Sequence, residues 1–281
     1  MSTVTLRYDL HSHSTRSDGL LSPSELVRRA ASRGVDVLAL TDHDETSGLP
    51  EAAEAAREAG IALVPGCEMS VSWQDITIHV VALGMAPGDA AFAAGLGSIR
   101  EGRHARARRI GESLAAAGIP DAYEGAMRFV TSERLVSRTH FARFLVDAGH
   151  AREMKDVFRR YLSPGKPGHV DHSWATLQQA IGWIHGAGGV AVLAHPGRYK
   201  VAGERGMRQL LAEFRDAGGD AIEVLSSSHS PAQAVRFATL ARVHGFSVSA
   251  GSDFHGPGEG SLDLGDLPPL PAGVEPVWAR W

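Results

Sequence analysis

A single cysteine, Cys67, in a chain of 281 residues excludes an intrachain disulfide and any cysteine-rich zinc site. No apolar run approaches the roughly 20 residues that a membrane-spanning helix needs. The first residues, MSTVTLRYDL, lack the pattern of a secretory leader. Low-complexity tracts and internal repeats are also absent. What remains is ordinary for a globular protein with a sizeable core, 43% hydrophobic and 21% charged, and the expected compartment is the cytoplasm.

The net charge of −4 hides an asymmetry. Residues 97–170 carry 14 lysines and arginines against 8 acids, a balance of +6. The rest of the chain carries 14 against 24, a balance of −10. Two regions with different tasks are expected.

Short apolar segments alternate with helical patterns, which points to βαβ units, an α/β class and a largely parallel sheet. Strands are expected over 5–10, 36–41, 61–64, 76–83, 189–194, 220–225 and 247–250. Helices are expected over 24–33, 49–59, 174–185, 204–217 and 231–244. The stretch SPSE supplies a capping Ser22 and a first-turn Pro23, and several helices run into a glycine turn before the next strand. From about 87 to 167 the pattern is mainly helical. This divides the chain into a strand-helix unit of 1–86 plus 168–281 and a basic helical insertion of 87–167 over the open end of the sheet. The proline-rich tail LGDLPPLPAGVEP is expected to wrap the surface.

Histidines and acids recur where strands end. His11, His13 and Asp18 follow the first strand, Asp42 and His43 the second, and Glu68 the third. His79 lies within or near the fourth, His195 follows the fifth, and Asp253 and His255 follow the seventh. In a parallel barrel these ends open on one face. So many imidazoles and carboxylates together are costly unless cations pair them. Neutral imidazole and carboxylate without thiolate suit zinc, manganese or iron.

The ordered set DLHSHSTRSDG, LALTDHD, PGCE, IHVVALG, AHPGR and GSDFH resembles the PHP (polymerase and histidinol phosphatase) phosphoesterases over nearly the whole chain. The resemblance implies a distorted (β/α)7 barrel holding three divalent ions, manganese first, with zinc or iron as alternatives. It implies His11, His13, Glu68 and Asp253 at one ion, Glu68 with His79 and His195 at a second, and Asp18, His43 and His255 at a third. Asp42 and Asp44 are expected to orient these ligands from behind. A hydroxide bridging two ions, held by Glu68, is the expected nucleophile, with His43 and His255 near the leaving group.

Within that family the basic insertion is similar to that of small bacterial enzymes that remove the 3′-phosphate from nucleoside 3′,5′-bisphosphates. Some of those also trim RNA from its 5′ end. The expected partners are therefore a nucleotide and, further, short RNA, with no membrane. Five arginines crowd residues 100–109. Arg100 and Arg103 are expected to grip a second phosphate, helped by Ser137, Arg138, Thr139 and His140 at a helix start. Lys166, Arg198 and His229 are further candidates. The rival readings are a histidinol phosphate phosphatase and a non-catalytic, metal-stabilised nucleic-acid-binding module.

Overall fold

The structure, a computed structural model, describes residues 6–131 and 135–281; Thr5, at the start of the first expected strand, lies outside them. Seven strands form one sheet in sequential order: β1 (Tyr8–Asp9), β2 (Val37–Leu40), β3 (Ala62–Trp73), β4 (Ile76–Leu83), β5 (Val190–Leu193), β6 (Ala221–Leu225) and β7 (Ser247–Ala250). The ends meet. Leu10 N–H donates to Ala250 O at 3.0 Å, Asp253 N–H to His11 O at 2.9 Å, and His13 N–H to Phe254 O at 2.9 Å, so the sheet curls into a nearly closed barrel.

The helices are α1 (Pro23–Ser32), α2 (Leu49–Ala59), α3 (Ala90–Ala116), α4 (Ala122–Met127), α5 (Arg138–Asp147), α6 (Met154–Val157), α7 (Leu177–Gly186), α8 (Gly203–Asp216) and α9 (Pro231–His244). Their starts follow from side-chain chemistry. Ser22–Glu25, Ser137–His140, Thr176–Gln179 and Ser230–Gln233 form reciprocal caps that satisfy backbone N–H groups, each worth about 1 kcal/mol. The Thr176 cap explains why α7 begins at Leu177 and not at Trp174. Trp174 N–H is instead taken by Ser72 Oγ at 2.8 Å. Among the described residues no helix is long and apolar enough to cross a membrane.

The sheet corrects one expectation. It is mixed: β4 runs antiparallel to both β3 and β5. The third strand does not stop at Val64 but continues to Trp73, and only Gln74 and Asp75 separate it from β4. Two residues can join only antiparallel strands, and Gln74 (φ 50°) adopts the left-handed turn conformation this needs. β4 therefore starts at the end of the barrel where β2, β5, β6 and β7 finish.

Leu10, Val37, Ala39, Val81, Leu83, Val192, Ala194 and Ala221 fill the barrel interior. The tail does more than wrap the surface. Val277 is fully buried among these residues, worth about 2 kcal/mol, and Trp278 stacks on Tyr8 at 4.2 Å. Outside the barrel, α1, α2, α7, α8 and α9 bury their apolar faces against the strands. The 27-residue α3 is shared: Phe92, Leu96 and Ile99 join this outer core. Ala107, Ile110 and Leu114, further along, join a separate core with Phe141, Phe144, Leu145 and Leu162.

Candidate metal centre

All nine expected ligand residues converge at one end of the barrel. The loop after β1 carries His11 and His13 inward because Gly251 leaves room: a Cβ there would lie 2.2 Å from His11 Cβ. Glu68 lies within β3, where its N–H donates to Thr41 O at 3.1 Å. His79, near the start of the reversed β4, meets Glu68 of β3 at 2.7 Å. His195 (φ 28°) and Asp253 (φ 54°) hold left-handed backbone conformations that non-glycine residues rarely adopt, a strain typical of functional positions.

Donor atoms face one another at close range. His11 Nε2 lies 3.3 Å from Glu68 Oε2 and 3.5 Å from Asp253 Oδ1; His13 Nε2 lies 3.3 Å from each. All four atoms are buried and lack a hydrogen-bond partner. Ligands around a tetrahedral zinc-like ion are separated by roughly 3.3–3.5 Å, so this donor set fits a divalent cation. Glu68 Oε1 lies 2.7 Å from His79 Nδ1 and 2.9 Å from His195 Nε2. Glu68 Oε2 also lies 2.9 Å from His43 Nδ1. Asp18 Oδ1 is 3.4 Å from His255 Nε2, and Asp18 Oδ2 is 3.8 Å from His43 Nε2. The groups overlap: Glu68 is shared by two clusters, His43 by two, and His13 also reaches the Asp18 cluster.

Without cations these groups titrate one another. Burial opposes charge on Glu68, yet His79, His43 and His11 around it hold its carboxyl well below the usual range. Asp18 and Asp253 are held low in the same way, Asp18 by His43 and His255 and Asp253 by His11 and His13. Burial also opposes charge on His13, but Asp253 and Glu68 raise it to about 10. In His43 and His195 burial wins and lowers both to about 4, which leaves them neutral and ready to ligate at pH 7.

Asp42 and Asp44 sit behind the donors. Asp42 accepts from Ser14 N–H at 2.8 Å, Ser14 Oγ at 2.6 Å and Ser17 Oγ at 2.5 Å, which fixes the loop carrying His13. Asp44 accepts from Ser70 N–H at 2.7 Å and Arg103 Nε at 2.7 Å. Sequence reasoning missed other supports. Tyr199 Oη accepts from His79 N–H at 2.9 Å, and Arg143 donates to Asp18 O at 2.7 Å. Glu223, buried on β6, reaches His11 Nδ1 at 2.7 Å and His195 N–H at 2.6 Å. An acid inside the apolar stretch DAIEVLSS was the available signal.

The expected substrate residues divide. Arg100 donates to Asp44 O at 2.7 Å, and the buried Arg103 pairs with Asp44 and Ser70 Oγ. Ser137 Oγ donates to Asp18 Oδ2 at 2.8 Å and accepts from Thr139 N–H at 3.0 Å. His140 Nδ1 accepts from Ser137 N–H, and burial lowers this imidazole to about 4. Arg198, half-exposed, donates to Asp253 Oδ2 at 2.8 Å. His229 has both ring nitrogens engaged by backbone, accepting from Gly197 N–H and donating to Val224 O, each at 3.0 Å. It braces the turn after His195 and offers nothing to a ligand. Lys166 is exposed on its turn. Arg106, not singled out beforehand, joins Arg103, Arg138, Ser137 and Trp174 around a niche of about 10 Å³. Burial, Arg198 and Arg103 lower Arg138 to about 10; burial, Arg138 and Arg103 lower Arg106 to about 9.

Known proteins share this architecture. The chain is 54% identical over 270 residues to a 3′,5′-nucleoside bisphosphate phosphatase of Chromobacterium violaceum, covering 96% of this chain and 94% of that one. It is 48% identical over 276 residues to the 5′-3′ exoribonuclease Rnm of Salmonella typhimurium, covering 98% and 93%. Among solved structures, an amidohydrolase from Chromobacterium violaceum with bound sulfate and no metal superposes with a TM-score of 0.94 at 53% identity, covering 98% and 95%. The sequence profile of the PHP domain matches residues 9–227, and the chain belongs to the PHP domain family.

Proposed function

We propose that this protein is a metal-dependent phosphatase that removes the 3′-phosphate from nucleoside 3′,5′-bisphosphates, leaving the 5′-monophosphate. The observation that carries the reading is a pocket of unpartnered imidazole and carboxylate donors beside a small niche lined by three arginines. One phosphate is assigned to the donors and the second to these arginines, whose side chains must part to admit it, since the niche as it stands has room for about one water. Relatives at 54% and 48% identity, named as a bisphosphate phosphatase and an exoribonuclease, support the same chemistry.

The nine donors His11, His13, Asp18, His43, Glu68, His79, His195, Asp253 and His255 would hold three divalent ions, manganese first. Bound there, the ions supply Lewis acidity toward the phosphoryl oxygens and lower the pKa of water. The chain's own residues do the rest. Glu68, with one oxygen toward His11 and His13 and the other toward His79 and His195, fixes the two halves of the pocket relative to each other. Arg198 holds Asp253 by one oxygen and keeps its other guanidinium nitrogens for the substrate phosphate. His43 and His255 lie on the side of the pocket that faces Ser137 and the insertion, where the leaving sugar oxygen would emerge. Arg138 and Arg106 take the 5′-phosphate, since among the described residues neither is paired with a carboxylate.

A 5′-phosphorylated RNA is a second candidate, supported by the exoribonuclease relative at 48% identity. Its terminal phosphate would meet the same arginines, and its first phosphodiester would take the place of the 3′-phosphate of a bisphosphate. Histidinol phosphate fits less well, because its ammonium group would face the arginines. The test is phosphate release by metal-loaded protein from adenosine 3′,5′-bisphosphate, adenosine 3′-monophosphate and histidinol phosphate, with a 5′-phosphorylated RNA assayed for mononucleotide release. The bisphosphate is expected to be the fastest of the phosphomonoesters; faster turnover of histidinol phosphate overturns the assignment.

A further inference from the structure

We infer that Glu223 is a positioning residue of the metal pocket, one that fixes both the tautomer of His11 and the backbone of His195; this rests on the reading of those histidines as ligands. Along β6, Ala221 points into the barrel interior, while Ile222 and Val224 join the core outside it. Period-two alternation therefore puts Glu223 inside as well. A register shift between β6 and β7 at Glu223–Leu225 bends the strand at this point. A carboxylate sealed in an apolar barrel is strongly unfavourable without partners, and Glu223 is 1% exposed.

Its partners account for it. Oε1 lies 2.7 Å from His11 Nδ1, placed to accept its N–H, and that tautomer aims the Nε2 lone pair at Glu68 and Asp253. Oε2 accepts the N–H of His195 at 2.6 Å, and His195 sits in a left-handed conformation that this bond stabilises. One carboxylate thus sets the direction of two donors that arrive from β1 and β5. A glutamine of the same shape cannot satisfy both. With its oxygen on the His195 N–H, its amide nitrogen meets His11 Nδ1 and drives the ring proton to Nε2, the ligating atom. With the amide reversed, two donors collide at His195.

The experiment is zinc affinity by chelator competition for wild type and Glu223→Gln, alongside the melting temperature of each metal-free protein. Glu223→Gln is expected to bind zinc at the site of His11 and His195 about 10–100-fold more weakly, with an intact metal-free fold. Wild-type affinity in the variant overturns the inference. Wild-type protein that binds no zinc overturns the metal reading itself, and the inference with it. A second measurement needs no variant: nitrogen NMR of the zinc-loaded wild type should find the His11 proton on Nδ1. A proton on Nε2 overturns the inference while leaving metal binding intact.

Discussion

Replacing Arg138 by glutamine should make the protein more stable and a poorer bisphosphatase at once. Burial and the neighbouring Arg198 and Arg103 push this guanidinium down to about 10. A base lowered in the folded state is one whose charge the fold disfavours at neutral pH. With allowance for solvent at its partly exposed end, that penalty is roughly 2–3 kcal/mol. Glutamine removes the charge and also the contact with the Phe158 ring at 5.9 Å, which returns about 0.5–1 kcal/mol. The net gain of about 1–2 kcal/mol should raise the melting temperature by roughly 2–6 °C in a chain of this size. Substrate binding should move the other way. A charged hydrogen bond to phosphate is worth about 1.5–3 kcal/mol, so kcat/KM for adenosine 3′,5′-bisphosphate should fall roughly 10–100-fold. For adenosine 3′-monophosphate, which puts nothing in the niche, it should change by less than about 2-fold. Steady-state kinetics on both substrates and a thermal melt decide the matter. Equal losses on both substrates, or a lower melting temperature, would show that Arg138 is a structural residue.

Ser137→Ala frees Asp18 Oδ2 and removes the α5 cap, so it should cost about 1 kcal/mol of stability and weaken the metal site at Asp18 selectively; metal titration followed by elemental analysis reads this. Phe141→Ala, in the insertion's separate core, should cost about 3–5 kcal/mol there. If residues 87–167 form their own unit, hydrogen exchange will locate the loss in the insertion, while zinc affinity at the His11–His13 site stays unchanged. In metal-free protein, His13 is raised to about 10. Its contribution to stability is complete below pH 6.5 and is lost as pH rises toward 10. Metal binding requires the neutral ring, so zinc affinity should rise across the same interval. Urea melts of metal-free protein at pH 6.5, 8 and 10 test the first half; a metal-free protein that gains stability over that range contradicts the charge assignment.

Much of the barrel was legible because its signals are local. Strands 76–83 and 247–250 and helices 49–59 and 231–244 match the structure residue for residue. Their limits are set by capping side chains and glycine turns within a few positions. The third strand was expected to end at Val64, just before Pro65 and Gly66, but it runs on to Trp73. Gly66 is in fact where the strand passes close to β2: a Cβ there would lie 2.9 Å from Leu40 O. Such a contact depends on a partner 26 residues away, which local pattern does not carry. The metal donors were legible because imidazoles and acids at strand ends are hard to explain otherwise. His229 carried the same signal, and the structure uses it to tie two backbone segments together. Glu223 was missed for the opposite reason, since its one signal, an acid in an apolar stretch, lies inside a strand whose inward direction depends on the closed barrel.

The charge asymmetry between the insertion and the rest of the chain resolves into two kinds of arginine. Arg143 donates to Glu259 at 2.7 and 2.9 Å, and Arg103 pairs with Asp44. Both are buried, and both bind acids of the barrel across the junction. An unpaired guanidinium at such a place would be costly, so these pairs fix how the insertion sits on the pocket. Arg106 and Arg138 lie next to them but meet no carboxylate among the described residues, and the fold tolerates their mutual repulsion. Repulsion retained where a neighbouring arginine has been neutralised is the pattern expected of a site awaiting an anion. The position of that site follows from Ser137, whose hydroxyl holds Asp18 while the next residue, Arg138, lines the niche. On the proposed reading, with one phosphate at the metal donors and the other at Arg106 and Arg138, a bisphosphate should be turned over faster than a monophosphate, and that preference, more than the metals, would separate it from other phosphomonoesters.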